Sequence, residues 1–250
     1  MATSIGPTTF AVNAASSSSR SSSVARTSCG AEPVVTMWSI PSFSRSAAAA
    51  SVDSSQGEWY HAYVIIDIYS RYICGWTVER AESADRAEEL IRETIERNGI
   101  VPETVHADRG TAMTSKKVSQ LLIDLGVTRS HSRPKVSNDN PFSESNFKTM
   151  KYMSDFPKSF NSLEESRSWF DGFISYYNHE HRHSGIGLHT PASVHFGTAE
   201  LVREQRATTL AEAYARHPER FARRPQPPKL PEQVWINEPQ PETEPAQQTS

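Results

Sequence analysis

Asp108 and Glu144 are the two acids in this chain whose settings suit chemistry. Asp108 ends a β-prone run, Thr104-Val105-His106-Ala107-Asp108, and precedes Arg109-Gly110-Thr111. Glu144 opens a helix-prone stretch after the turn-rich Ser137-Asn138-Asp139-Asn140-Pro141. A strand-end Asp and a helix-borne Glu can converge on one divalent cation, and hard cations such as Mg²⁺ or Mn²⁺ prefer carboxylate oxygens. Two such ions hold both the attacking and the leaving oxygen of a phosphodiester displacement. Each acid also has a plainer reading. An Asp-x-Gly acid commonly fixes a turn, and an acid in the first turn of a helix is favoured by the helix dipole. Lys148 and Lys151 follow Glu144 on the same helical stripe. That stripe suits a DNA backbone beside a metal-bound phosphate. The plainer alternative is an exposed ion pair, which contributes only about 0.2–0.5 kcal/mol.

Regular elements must carry these acids. Trp59 to Tyr69 and Arg71 to Glu79 are rich in β-branched and aromatic residues and read as an antiparallel strand pair. Ser83 starts a helix over 84–97, with Ala87, Leu90, Ile91 and Ile95 on one face and Asn98-Gly99 as its stop. Thr104 to Asp108 is the next strand. Thr114 or Ser115 caps a helix carrying Val118, Leu121, Leu122 and Leu125, and Val127 to His131 is a further strand. A loop over 133–141 leads to a helix over Phe142 to Asp155, and Leu163 to His179 forms another with an aromatic side. Strands followed by helix–strand alternation imply a mixed sheet flanked by helices.

Four motifs in order carry a family resemblance. The run from Ser130 to Ser145, with Ser137-Asn138-Asp139-Asn140-Pro141-Phe142-Ser143-Glu144 at its centre, resembles the loop before the third catalytic carboxylate of bacterial insertion-sequence transposases. These share a retroviral-integrase-like catalytic core. Tyr63 to Trp76 resembles their second and third strands, and Tyr176-Tyr177-Asn178 with Arg182-His183-Ser184 and Thr190-Pro191-Ala192 resembles their closing segment. Ala213 to Phe221, then Val234-Trp235-Ile236-Asn237, resembles the tail of one branch.

The resemblance implies an α/β, ribonuclease-H-like fold and metal-dependent cleavage and strand transfer at transposon ends. Asp108 and Glu144 would be the catalytic, metal-holding acids for Mg²⁺ or Mn²⁺. Lys148, Lys151, Arg133 and Lys135 would contact DNA. Relatives act as multimers, so DNA, further copies of the chain and a helix-turn-helix protein of the same element are the expected partners, in the cytoplasm. The family's first Asp sits in a Trp-x-x-Asp-x-Thr strand, but the corresponding stretch here reads Met37-Trp38-Ser39-Ile40-Pro41-Ser42-Phe43. Pro41 falls at the acid's place, and a proline disfavours a central strand. Asp67 matches a second-strand acid that fixes a turn. A catalytically defective remnant that binds DNA or intact transposase is therefore the alternative function. A host ribonuclease or resolvase fits less well, because those enzymes lack the quoted motifs.

Composition sets the remaining bounds. The 250 residues are 36% apolar and carry a net charge of −3. They suffice for one domain with extensions, read as an irregular stretch 1–57, a core 58–197, a helical extension 198–224 and a Pro/Gln-rich tail 225–250. Both ends are expected to be disordered. The Ser/Ala-rich start, poor in acids, reads either as an organellar address or, preferably, as altered coding sequence. No run is long enough for a membrane span. The two cysteines suggest neither disulfides nor zinc. His179, His181 and His183 alternate and could bind metal, but no cysteine accompanies them, and a polar or DNA-facing role fits better. Lys116, Lys117, Arg129 and Lys158 add basic residues near the two acids in sequence, and phosphate contact depends on such local charge.

Overall fold

A computed structural model of the chain describes residues 24–27, 34–44, 59–133, 139–157 and 159–236. Its centre is a five-stranded sheet built from β2 (Val34–Ser44), β3 (Trp59–Asp67), β4 (Ile73–Glu79), β5 (Thr104–Ala107) and β6 (Thr128–His131). The strand order is β4-β3-β2-β5-β6. β3 pairs antiparallel with both β2 and β4, whereas β5 runs parallel to β2 and β6. Three antiparallel strands continued by two parallel ones, with helices on both faces, is the ribonuclease-H-like arrangement.

Residue alternation along β3 builds both cores. Tyr63 and Ile65 join Val35, Met37, Val105 and Ala107 on one face, against Leu90 and Ile91 of α1 (Ala84–Asn98) and Val118, Leu121 and Leu122 of α2 (Lys116–Asp124). Ala62, Val64 and Ile66 join Ile73 and Val78 on the other face, against Phe170, Phe173 and Tyr177 of α4 (Leu163–His179). A strand covered on both faces is apolar throughout, as β3 is. Gly99, at φ 64°, ends α1 by donating its N–H to the Ile95 carbonyl. Ser115 caps α2 by accepting from the Val118 N–H at 3.3 Å. Ser83 precedes α1 without a side-chain cap; its N–H donates to the Tyr63 hydroxyl at 2.7 Å instead.

Two expectations from composition are corrected. Residues 34–44, read as part of an irregular stretch, form a strand of the central sheet. Pro41 is accommodated because β5 pairs only with Val34 to Met37. Beyond that point β2 has β3 alone as a neighbour, and a register irregularity follows between Pro41 and Phe43. Proline is tolerated at such an edge or bulge. At the other end, residues 225–236 are extended, as expected, but packed rather than mobile. The Tyr69 hydroxyl donates to the Pro231 carbonyl at 3.1 Å. β7 (Gln233–Ile236) pairs antiparallel with β1 (Val24–Thr27), and Ile236 is fully buried against Ile68 and Phe142. Residues 237–250 lie outside the described residues. The remaining helices are α3 (Pro141–Lys151), α5 (Pro191–His195) and α6 (Ala199–Arg216).

Candidate active site

Asp108 follows the last residue of β5 and is half-buried. Its Oδ1 accepts the Gly110 N–H at 3.2 Å, and its carbonyl accepts from His131 Nδ1 at 3.2 Å. Burial pushes its carboxyl pKa up, and the nearby charge of Glu82 pushes it the same way; the Gly110 bond and His131 oppose this.

Glu82 is the neighbour that sequence reading missed. Its Oε1 accepts the Ala112 N–H at 3.1 Å, across the loop that follows Asp108. A Cβ on Gly110 would lie 3.0 Å from Glu82 Oε1 and 3.1 Å from Asp108 Oδ1. Glycine at this position thus leaves room for two carboxylates to approach one loop. No local motif links Glu82 to Asp108, and only the Asp-x-Gly spacing hinted that the loop is tight.

α3 is tied to β5 through His106. The buried His106 donates from Nε2 to the Asp139 carbonyl at 2.9 Å. Its Nδ1 therefore accepts from the Ser130 hydroxyl, 3.1 Å away. Burial lowers the His106 pKa, in keeping with this neutral tautomer. Asp139 is itself buried. Its carboxylate accepts from Arg133, through the backbone N–H at 2.7 Å, Nε at 2.9 Å and Nη2 at 2.8 Å. The Arg133 side chain, expected at DNA, is thereby half-exposed and engaged in closing the loop onto α3. Lys135 and Lys158 lie outside the described residues.

Glu144 sits in the first turn of α3, and its backbone N–H donates to the Asn140 carbonyl at 3.2 Å. Ser143, Asn146 and Met150 are the buried face of that helix, and Glu144, Lys148 and Lys151 are exposed. Among the described residues, none of these three side chains forms a hydrogen bond or ion pair, so the ordinary Glu144–Lys148 pair is not made. Lys117 pairs with Asp85 and Arg129 with the Ser119 hydroxyl.

A buried polar knot supports the same, N-terminal end of α3. Asp67 accepts the Tyr69 N–H at 3.1 Å and the Ser70 hydroxyl, and lies 3.2 Å from His195 Nδ1 on α5. It fixes the turn before β4, as its sequence setting suggested. In that turn Arg71 adopts φ 65° and stacks on Phe142 of α3, 4.0 Å from the ring centroid. Burial lowers the Arg71 pKa to about 10 against the pull of Tyr177 and Asp67. Asn178 accepts the Ile73 N–H at 2.9 Å and donates to the Ile73 carbonyl at 3.1 Å, so it fastens α4 to the edge strand. His181 stacks on Tyr177, and His183 is half-buried. Among the described residues, no three His, Cys, Asp or Glu side chains are grouped to hold a metal.

The donor set still fits a hard cation. A half-buried carboxylate destabilised by burial and by a second acid gains from positive charge, and Mg²⁺ commonly takes only one or two carboxylates and keeps its waters. β2, which runs beside β5, contributes no acid between Val34 and Ser44.

Two sequence-family matches, each described as an integrase core domain, cover residues 49–137 and 125–191; neither includes β2. The chain is similar to the simian T-cell lymphotropic virus intasome solved in complex with PP2A regulatory subunit B56 gamma, at 18% identity and TM-score 0.48. That likeness covers 64% of this chain and 53% of the other, so this chain spans about half the length of that relative. It is also similar to the catalytic core domain of BIV integrase, at 17% identity and TM-score 0.45, over 67% of this chain and 96% of that one. No match to a curated protein was found. Between them the two matches make residues 49–191 of this chain similar to an integrase core domain.

Proposed function

We propose that the chain is a transposase core that cleaves phosphodiesters at transposon ends and transfers the freed strand to target DNA. Asp108 and Glu144 are the acids that hold Mg²⁺ or Mn²⁺ in this reading. A divalent cation bound there would stabilise the attacking and leaving oxygens. In the first step a water oxygen bonds to phosphorus and the P–O3′ bond breaks, which leaves a 3′-hydroxyl and a 5′-phosphate. In the second, that 3′-oxygen bonds to a target phosphorus and the target 3′-oxygen departs. Each attacking hydroxyl gives up one proton and each departing oxygen takes one up, so no covalent enzyme intermediate is needed.

The chain's own part is positioning. Lys148 and Lys151 hold the DNA backbone beside Glu144 without reading sequence. Lys135 extends the same contact from the loop, and Arg133 does so with whatever of its exposed guanidinium Asp139 leaves free. Partners are DNA, further copies of the chain and a helix-turn-helix protein of the same element, in the cytoplasm. Among the described residues no helix is long and apolar enough to cross a membrane.

The observation that carries this reading is Glu144, exposed and unpaired among the described residues, on a helix tied to the strand that leads into Asp108, within an integrase core domain. Mg²⁺-dependent strand transfer on terminal-repeat DNA tests it. Wild-type protein should give joined product, and Glu144→Gln should give at least a hundredfold less. Equal product from both proteins removes Glu144 from the mechanism. The acid-free β2 favours a second reading, in which the chain is catalytically defective and binds DNA or intact transposase. In that case neither protein joins strands, but both bind the ends.

A further inference from the structure

Outside the core, α6 and the segment after it enclose an open groove of about 810 Å³, with Leu210 on the helix side and Arg220, Arg223 and Arg224 on the other. All three arginines are exposed. Among the described residues, none of their guanidinium groups meets a carboxylate or a hydrogen-bond acceptor. Several arginines elsewhere on the surface are engaged: Arg203 with Glu200, Arg92 with Glu88, and Arg206 with the Gly187 and Leu188 carbonyls. The acid nearest in sequence, Glu219, lies 3.3 Å from His217. This is therefore a concentration of unneutralised positive charge on a chain whose net charge is −3.

The segment is also held in place. Phe221 meets the Tyr214 ring edge-on at 5.7 Å. Pro225, Pro227 and Pro228 restrict its backbone to extended forms. Downstream, the Lys229 carbonyl closes over Gly187 and Pro231 is bonded by Tyr69. Charges on a pre-ordered segment lose little freedom when a ligand arrives.

We propose that this groove seats the phosphate backbone of duplex DNA, as a second binding surface beyond the α3 stripe. The inference rests on the strand-transfer reading for its choice of polymer. A row of guanidinium groups matches a row of phosphates. Besides the arginines the lining holds Leu210, Phe221, Ala222, Gln226 and prolines; Arg223, Arg224 and Gln226 sit on an extended segment rather than on a helix that enters a groove, so the contacts go to phosphates and the binding is independent of sequence. A lipid surface fits less well, since α6 has only Ala199 buried and shows no apolar face to insert.

The test is fluorescence anisotropy of the full chain with a labelled duplex of about 30 bp, across roughly 50–200 mM salt. Each phosphate that is no longer neutralised should lower the slope of log affinity against log salt by about 0.9, or roughly eightfold in affinity at 0.1 M. Arg220→Gln, Arg223→Gln and Arg224→Gln combined should therefore flatten the slope by the equivalent of about two to three phosphates, equally for terminal-repeat and unrelated duplexes. The matching Arg→Lys triple should keep the slope. An unchanged slope in a glutamine triple with wild-type thermal midpoint overturns the proposal. So does an effect confined to anionic vesicles. The slope is independent of chemistry: if wild-type protein joins no strands but the glutamine triple flattens binding, the groove stands and the catalytic reading falls.

Discussion

Replacing Asn178 by Ala should destabilise the fold far more than the loss of one surface amide. The Asn178 side chain is 3% exposed and holds both backbone polar groups of Ile73, on the side of β4 that has no neighbouring strand. Removing it leaves a buried N–H and a buried carbonyl without partners. Each such orphan costs about 1–3 kcal/mol, so the pair should cost about 2–6 kcal/mol. For a domain of this size each kcal/mol lowers the midpoint by about 2–4 °C, which gives a fall of roughly 4–24 °C. Asn178→Asp separates the two bonds. The carboxylate still accepts from the Ile73 N–H but opposes its carbonyl, so Asp should show about half the loss or more at neutral pH. Urea unfolding gives the free energy, and an unchanged m value confirms that the same surface unfolds. A loss below about 1 kcal/mol for Ala would mean that water satisfies Ile73, and would refute the fastening role.

Four further outcomes follow. His183, whose pKa burial lowers to about 4 with help from Arg71 and His181, stays neutral in the fold while the unfolded chain protonates near 6.5. Stability should therefore hold above pH 6.5 and fall as pH drops toward 4, and His183→Asn should flatten that part of a melting-temperature profile; an identical profile rejects the assignment. Gly75→Ala would put a Cβ 2.0 Å from Thr94 Oγ1 and within 3.2 Å of two more Thr94 atoms, so it should cost about 1–3 kcal/mol in denaturant, partly recovered by Thr94→Ala. Ile236→Ala should cost about 2–4 kcal/mol and raise amide exchange across 225–236; wild-type exchange there would show that the segment is held by other contacts. Gly110→Ala should weaken Mn²⁺ binding in calorimetry by pressing on both carboxylates, with little change in melting temperature.

Much of the core is legible because its signals are local. The helix 163–179 follows from aromatic spacing that repeats on one face; the structure adds Ser162 as its cap, which accepts the Glu165 N–H. β3 and β4 follow from β-branched runs around the Asp67 turn. β2 was not legible, because its stability comes from pairing with β3 and with β5, some seventy residues on. Its proline and serines, judged locally, argue for a loop. The segment 225–236 misled for a related reason. Its prolines indicate an extended chain, but its fixed position depends on Tyr69, Ile68 and Phe142, which no local pattern relates to it. At the site, the residue types of Asp108, Glu144 and Lys148 suggested chemistry. The Arg133–Asp139 closure did not suggest itself, because a loop arginine beside lysines reads equally well as a phosphate ligand.

The acid-free first strand changes where a second ligand must come from. Parallel pairing puts Met37 opposite Ala107, so the β2 residue level with Asp108 is the next one, Trp38. No carboxylate between Val34 and Ser44 is available to lean across the sheet. Within the described residues, a cation at Asp108 must draw its other protein oxygen from a loop or a helix. Glu82 is already close, but its Oε1 is committed to the Ala112 N–H. Glu144 is uncommitted and exposed, on a helix whose start is tied to β5 through His106. Moving a helix is cheaper than moving a central strand, because fewer buried contacts must break. Cation affinity in this chain should therefore be more sensitive to the His106–Asp139–Arg133 closure than in a core whose first acid sits rigidly in the sheet. Loosening that closure with Asp139→Asn should lower Mn²⁺ affinity even though Asp139 is not one of the proposed ligands.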